Sequence, residues 1–215
     1  MLTELVLDAP FTPWRDLGFV IAPHSGHHHT VIAGVRFVFS GPDTPRADSP
    51  DHEPLGLVAW SFADARDEVG DSFDVDGVPT RRVDPPTELF DHSLAISSID
   101  HVVIMTPSLD RTCGVIDDRL GLPLKRVRDV GGGVRQGFHR AGPVILEVVE
   151  RPDIPADQPA QLWGVVFVVD DLDAVVERLG PDVIGAPRDA VQSGRRIATV
   201  RSGAGLVVPV AFMTA

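Results

Sequence analysis

The sequence predicts an α+β protein made of tandem βαβββ units that form curved mixed sheets, two units full and two degenerate. Three observations predict it. A short apolar strand running into a helix start occurs at Ile99 to Asp110 (Ile-Asp-His-Val-Val-Ile-Met-Thr-Pro-Ser-Leu-Asp) and again at Trp163 to Asp173 (Trp-Gly-Val-Val-Phe-Val-Val-Asp-Asp-Leu-Asp). Each following helix ends in the same tripeptide, Arg119-Leu120-Gly121 and Arg178-Leu179-Gly180. Further apolar runs follow each helix, and a self-similar period of about fifty to sixty residues marks a repeated supersecondary unit.

The first degenerate unit is residues 1–42. Glu4 to Pro10 aligns with His101 to Pro107, a strand followed by a proline at a helix entrance. A helix over Thr12 to Leu17 ends at Gly18. Strands are expected at Phe19 to Ala22 and Thr30 to Phe39, the latter able to break at Ala33-Gly34, with His24 to His29 as a hairpin connection. Residues 41–54 are proline-rich without apolar periodicity and read as a surface loop or linker. The second degenerate unit is residues 55–85. Gly56 to Phe62 aligns with Gly164 to Asp170, but the acidic stretch Ala63 to Ser72 is too poorly amphipathic for more than a very short helix. Pro85-Pro86 breaks the chain, and residues 85–98 connect to the next unit.

Residues 99–152 are the fullest unit. Thr106 or Ser108 caps a helix from about Leu109 to Leu120 whose apolar side carries Val115, Ile116 and Leu120. Strands follow at Pro123 to Val130, Val134 to Arg140 and Val144 to Val149, with turns at Gly131 to Gly133 and Ala141-Gly142. The fourth unit, 162–213, has a strand at Val165 to Val169, a helix at Leu172 to Leu179 and later strands near Arg196 to Arg201 and Leu206 to Met213. The units group into two halves, residues 1–95 (units 1–42 and 55–85) and 97–215 (units 99–152 and 162–213).

Composition narrows the function. With 215 residues, 43% of them hydrophobic, the chain can bury a sizeable core. A net charge of −12 excludes a nucleic-acid backbone or an anionic membrane as the main partner. No apolar run approaches the roughly 20 residues that span a bilayer. The amino terminus does not read as a signal peptide. The one cysteine, Cys113, falls on the third unit's helix as a buried spectator and fits a reducing, cytoplasmic setting.

The tandem βαβββ pattern opening on Ile-Asp-His-Val-Val resembles the vicinal oxygen chelate superfamily: glyoxalase I, extradiol ring-cleaving dioxygenases, fosfomycin-modifying enzymes and bleomycin-resistance proteins. The resemblance covers residues 99–213 well and 1–85 more loosely. It implies a glyoxalase-like cup whose inner face takes a small molecule. In catalytic members it implies a divalent metal held by residues on the first strand of each unit and on the last strand of one or both. Those positions here are His101 and Glu147 in the third unit, and Gly164 and about Pro209 in the fourth. The first unit offers Glu4 and, near its last-strand position, Phe39; the second offers Gly56. Two donors fall short of the three or four that iron, nickel or zinc sites use.

The expectation is therefore a cup that binds a small molecule without a complete catalytic metal set. No cofactor is expected; a divalent metal on His101 and Glu147 is the alternative. Candidate pocket residues are His101, Glu147, Trp163, Arg135, His139 and Trp60. A metal-dependent lyase or dioxygenase would need His101 and Glu147 completed by a further residue, His139 first among them. A purely structural or protein-interaction role is the third reading. Arg135, Arg140, Arg196 and Arg201 recur at matched strand positions and read as surface pairs or as grips for an anion. The cluster His24, His27, His28 and His29 reads as a surface hairpin. With both halves in one chain, the protein is expected as a monomer or homodimer.

Overall fold

The computed structural model describes residues 1–41, 55–63 and 70–215. The interiors of the proline-rich stretch at 41–54 and of the shortened helix at 63–72 lie outside the described residues. In chain order the elements are β1 (Leu2–Asp8), α1 (Thr12–Leu17), β2 (Ala22–His24), β3 (His27–Ile32), β4 (Val35–Phe39), β5 (Gly56–Phe62), β6 (Ser72–Val75), β7 (Val78–Arg82), β8 (Ile96–Thr106), α2 (Leu109–Leu120), β9 (Arg126–Gly131), β10 (Val134–Ala141), β11 (Val144–Glu150), β12 (Gln161–Val169), α3 (Leu172–Leu179), β13 (Arg188–Asp189), β14 (Arg196–Thr199) and β15 (Val210–Met213).

The strands form two mixed sheets, with orders β2-β3-β4-β1-β5-β7-β6 and β13-β14-β15-β12-β8-β11-β10-β9. Both follow one rule. First strands of consecutive units lie side by side and antiparallel, β1 with β5 and β8 with β12. The last strand of a unit returns parallel to its first: β4 to β1, β7 to β5, β11 to β8 and β15 to β12. The first two units thus build one sheet and the last two the other.

One apolar core holds both sheets together. It takes Leu5, Phe37 and Trp60 from the first sheet, Val102, Leu146 and Phe167 from the second, and residues of all three helices. The Phe167 ring stands 5.7 Å from Phe19 and 5.9 Å from Phe37 across the junction. Strand alternation sends every second residue to this core, so the opposite face of each sheet turns away from it.

Local chemistry explains the ends of the elements. The Ser108 hydroxyl accepts from the Arg111 amide at the start of α2, and the Asp171 carboxylate from the Ala174 amide at the start of α3. Buried Leu109, Thr112, Cys113, Ile116 and Leu120 set the inner face of α2. Gly137 lets β10 approach that helix, since a Cβ there would lie 2.8 Å from the Cys113 sulfur.

The histidine segment differs from the loop expected of it. Three of its four histidines lie within β3, and β2 runs Ala22–His24 rather than Phe19 to Ala22. Phe19 instead packs 5.3 Å from the Trp14 ring just beyond the Gly18 cap. The turn is two residues long, Ser25 and Gly26, both with positive φ (47° and 83°). Such primed turns match the twist of a hairpin and fix its register. Ala33-Gly34 turns the same way between β3 and β4, with φ of 48° and 79°.

Candidate functional site

The outward face of the eight-stranded sheet holds a cavity of about 210 Å³. Its walls come from opposite ends of the strand order, Arg126, Arg128, Gln136 and Phe138 on β9 and β10, and Arg188 to Gln192, Ile197 and Met213 beyond β12. Residues so far apart in the sheet share a cavity because the sheet curls. His101 and Glu147, on adjacent central strands, line its floor.

The floor depends on a β-bulge. Val166 pairs with His101 and Phe167 with Ile99, leaving Asp100 as an extra residue. The bulge breaks the alternation: Ile99 and Val102 enter the core, while Asp100 and His101 emerge together on the cup side. The His101 ring then lies between two carboxylates, Nδ1 2.7 Å from Asp100 Oδ2 and Nε2 3.2 Å from Glu147 Oε2. Arg195 donates to Asp100 Oδ1 at 2.6 Å and is anchored by the Thr214 carbonyl at 2.8 Å. Gln136 Nε2 donates to Glu147 Oε1 at 2.6 Å. The result is one chain, Arg195–Asp100–His101–Glu147–Gln136.

The two carboxyl groups are pushed apart. Burial raises Asp100, but hydrogen bonds from His101 and Arg195 outweigh it and hold the group at about 2. Burial raises Glu147, and the charges of His101 and Arg128 only partly offset it. Two carboxyls with opposed shifts on one imidazole form an arrangement suited to proton transfer.

The lining is divided. The third unit supplies His101, Glu147, Gln136, Arg126 and Arg128, with the Arg126 guanidinium 4.7 Å from the Phe138 ring centre. The fourth unit supplies Arg188, Asp189 and Gln192 together with apolar Ala190, Val191, Ile197 and Met213.

The structure brings His101 and Glu147 together and places the other candidates elsewhere. His139 pairs with Leu146, so it faces the core side, where its Nδ1 meets the Leu122 carbonyl at 2.7 Å. Arg135 also turns to the helix side and binds Glu150 at 2.5 Å. Trp60 is buried in the first sheet, its Nε1 donating to Thr80 Oγ1 at 2.7 Å. Trp163 is half exposed at a second bulge and outside the cavity lining. Arg196 pairs with Asp173 of α3, Arg201 with the Pro181 carbonyl and Arg140 with the Pro143 carbonyl. Sequence reasoning missed Asp100, Arg195, Gln136, Arg126, Arg128 and Arg188. Strand parity would have found Gln136, which shares a face with Phe138, the partner of Glu147. Nothing local marks the bulge that turns Asp100 to the site.

Register also fixes the four positions at which the resemblance puts metal ligands. His101 and Glu147 are in the third unit; Gly164, by the two-fold relation of β8 and β12, and Ala211, paired with Val166, are in the fourth. The last-strand position is therefore Ala211, two residues beyond Pro209. In the first unit it is Val38, one residue before the buried Phe39. A Cβ at Gly164 would lie 2.7 Å from the Pro209 carbonyl oxygen, so that position has no room for a ligating side chain.

Paired first strands, parallel last strands and a charged floor define the class: a tandem βαβββ protein of the vicinal oxygen chelate type. Residues 98–199 match the family model of the Glyoxalase/Bleomycin resistance protein/Dioxygenase superfamily, and the C-terminal half of the chain belongs to that superfamily. A mutant of 4-hydroxymandelate synthase from Streptomyces coelicolor superimposes with a TM-score of 0.64 at 16% identity, over 99% of this chain and 91% of that one. Methylmalonyl-CoA epimerase from Mycobacterium tuberculosis aligns over 57% of this chain and 90% of its own, with a TM-score of 0.47 and 19% identity. At 16% identity the likeness to the synthase is one of fold. No curated protein matches the sequence. Among the described residues no helix is long and apolar enough to cross a membrane.

Proposed function

We propose that the chain binds a small molecule with an anionic group and an apolar body in the cup of the eight-stranded sheet, without a complete catalytic metal set. The mixed lining carries this reading. Arg126 and Arg128 stand on one wall of the cavity and Arg188 on the other, and Phe138, Ala190, Val191, Ile197 and Met213 supply apolar lining. Guanidinium groups suit carboxylate or phosphate oxygens, and the apolar lining buries the rest of the ligand. Of the four ligand positions only His101 and Glu147 carry electron-pair donors, and crowding at Gly164 opposes a third. The residues present do not fit a three- or four-ligand ion. The division of the chain into halves 1–95 and 97–215 belongs to the same reading, since each sheet closes within its own half.

A thermal-shift screen of keto acids and aromatic carboxylates, followed by calorimetry on any hit, tests the proposal. Stabilisation by an anionic ligand, weakened at least tenfold in Arg128→Ala with Arg126→Ala, supports it. No stabilisation by any member overturns it in favour of a structural role. A second reading rests on the raised carboxyl of Glu147: metal-free proton transfer on the bound molecule. Solvent deuterium entering a bound keto acid beside its carbonyl, lost in Glu147→Gln, would establish it; no exchange would end it.

A further inference from the structure

The seven-stranded sheet presents a second outward face, and its chemistry differs from that of the first. The Ser25-Gly26 turn and the β2–β3 register put His24, His27 and His29 on one side of the hairpin, with His28 on the other, stacked 3.9 Å from Phe11. His29 pairs with Val38, whose counterpart in the eight-stranded sheet is Glu147, so the three histidines share the cup side. The connector between the halves crosses this face. His92 accepts from the Val20 amide at 3.1 Å and its other nitrogen meets the Val31 carbonyl at 2.8 Å. Phe90 stands edge-on to His29 at 5.4 Å. Glu88, from the same connector, brings one carboxylate oxygen to 4.0 Å from His29 Nε2.

Two observations single out this cluster. Ligand atoms of His24, His29 and Glu88 all lie within 4.8 Å of one another. His29 is only 4% exposed, yet both its ring nitrogens are buried without a hydrogen-bond partner among the described residues. Burial and the neighbouring His24 disfavour a proton on this ring, and neither the Ala22 backbone nor Glu88 reaches hydrogen-bond geometry with it. A buried polar atom left unpaired costs free energy and calls for a partner. Arg36 binds Glu4 at 3.4 Å and Glu88 at 3.3 Å, so two carboxylates share one guanidinium.

We propose that His24, His29 and Glu88 form a divalent transition-metal site of the zinc type that fastens the connector onto the first sheet. Two imidazoles and a carboxylate are the donor set of such sites, with a fourth position for water. The donors must draw together by about an ångström to reach metal–ligand distances near 2 Å. Glu88 can do so, its side chain being 40% exposed and on a connector rather than a strand. The site lies outside the first-strand and last-strand positions, which in this unit are Glu4 and Val38, and is independent of the ligand proposed for the other cup.

The test uses the full chain without an affinity tag, stripped with chelator, and titrated with Co²⁺ and Zn²⁺ alone. The expected result is one equivalent of Co²⁺ giving a low-coordinate visible spectrum, displaced by Zn²⁺, with a rise in melting temperature. His24→Ala and Glu88→Gln should each weaken binding at least tenfold, while His101→Ala leaves it unchanged. His29→Ala removes a buried ring and can fail to fold, so the other two variants carry the test, with circular dichroism as the folding check. No stoichiometric binding, or binding that survives both variants or is lost with His101→Ala, overturns the proposal.

Discussion

Replacing Asp100 by asparagine keeps the shape of the site and removes the charge between His101 and Arg195. Asp100 titrates at about 2 in the folded protein against an ordinary 3.8, and its side chain is 10% exposed, so solvent screens the shift little. Because the folded value is the lower one, the unfolded chain binds more protons as the pH falls. The stabilisation is complete above the unfolded value and is lost as the pH drops through the folded one. A depression of this size corresponds to about 2 kcal/mol above pH 5, and about 1 kcal/mol remains at pH 3. For a chain of this length the full amount lowers the melting temperature by about 5 to 10 °C. Urea unfolding of the wild type and Asp100→Asn from pH 7 to pH 3 measures it. The expected result is a gap of about 2 kcal/mol at neutral pH that narrows by about 1 kcal/mol at pH 3. Equal stabilities at pH 7, or a gap that does not change with pH, would refute the argument.

Glu147→Gln should behave in the opposite sense. Burial raises this carboxyl, so the folded state disfavours its charge, and the cost grows as pH rises above the ordinary value of 4.5. The variant should be at least as stable as the wild type at pH 7, with its advantage shrinking as the pH falls toward 4.5 in the same urea series; a variant clearly less stable at pH 7 contradicts this. Gly137→Ala drives a methyl group to 2.8 Å from the Cys113 sulfur and 3.0 Å from Leu109, an overpacking that should cost about 1 to 3 kcal/mol by denaturant unfolding. Cys113 is buried and its thiol is pushed up to about 11, so a thiol reagent at pH 8 should leave the native protein unmodified and label it only in denaturant. Rapid labelling of the native chain would place the thiol at the surface.

The repeated strand-to-helix phrase was legible because it encodes local geometry. A strand with core residues at every second position, a capping serine or aspartate and a closing glycine are each written within a few residues, and Ser108, Asp171 and Gly121 occupy those places. His101 and Glu147 were legible as polar residues inside apolar strands that the fold makes neighbours. Arg135 and His139 were not, because choosing the face of β10 requires its register against β11, and a one-residue offset reverses every side chain. The histidines between residues 24 and 29 read as a loop because a two-residue turn leaves a strand on each side with little apolar alternation.

By itself the sequence determined the unit, its repetition and the pair of polar residues at its centre, all of which depend on contacts within a few residues or on a repeated pattern. The tertiary structure alone decided which units share a sheet, that a bulge delivers Asp100 beside His101, and that the Pro209 carbonyl keeps Gly164 bare. It also brought Glu88 across the chain to His29. These outcomes come from pairing between segments far apart in the chain, whose register is set by the packing of the whole core and is not written in any one of the segments.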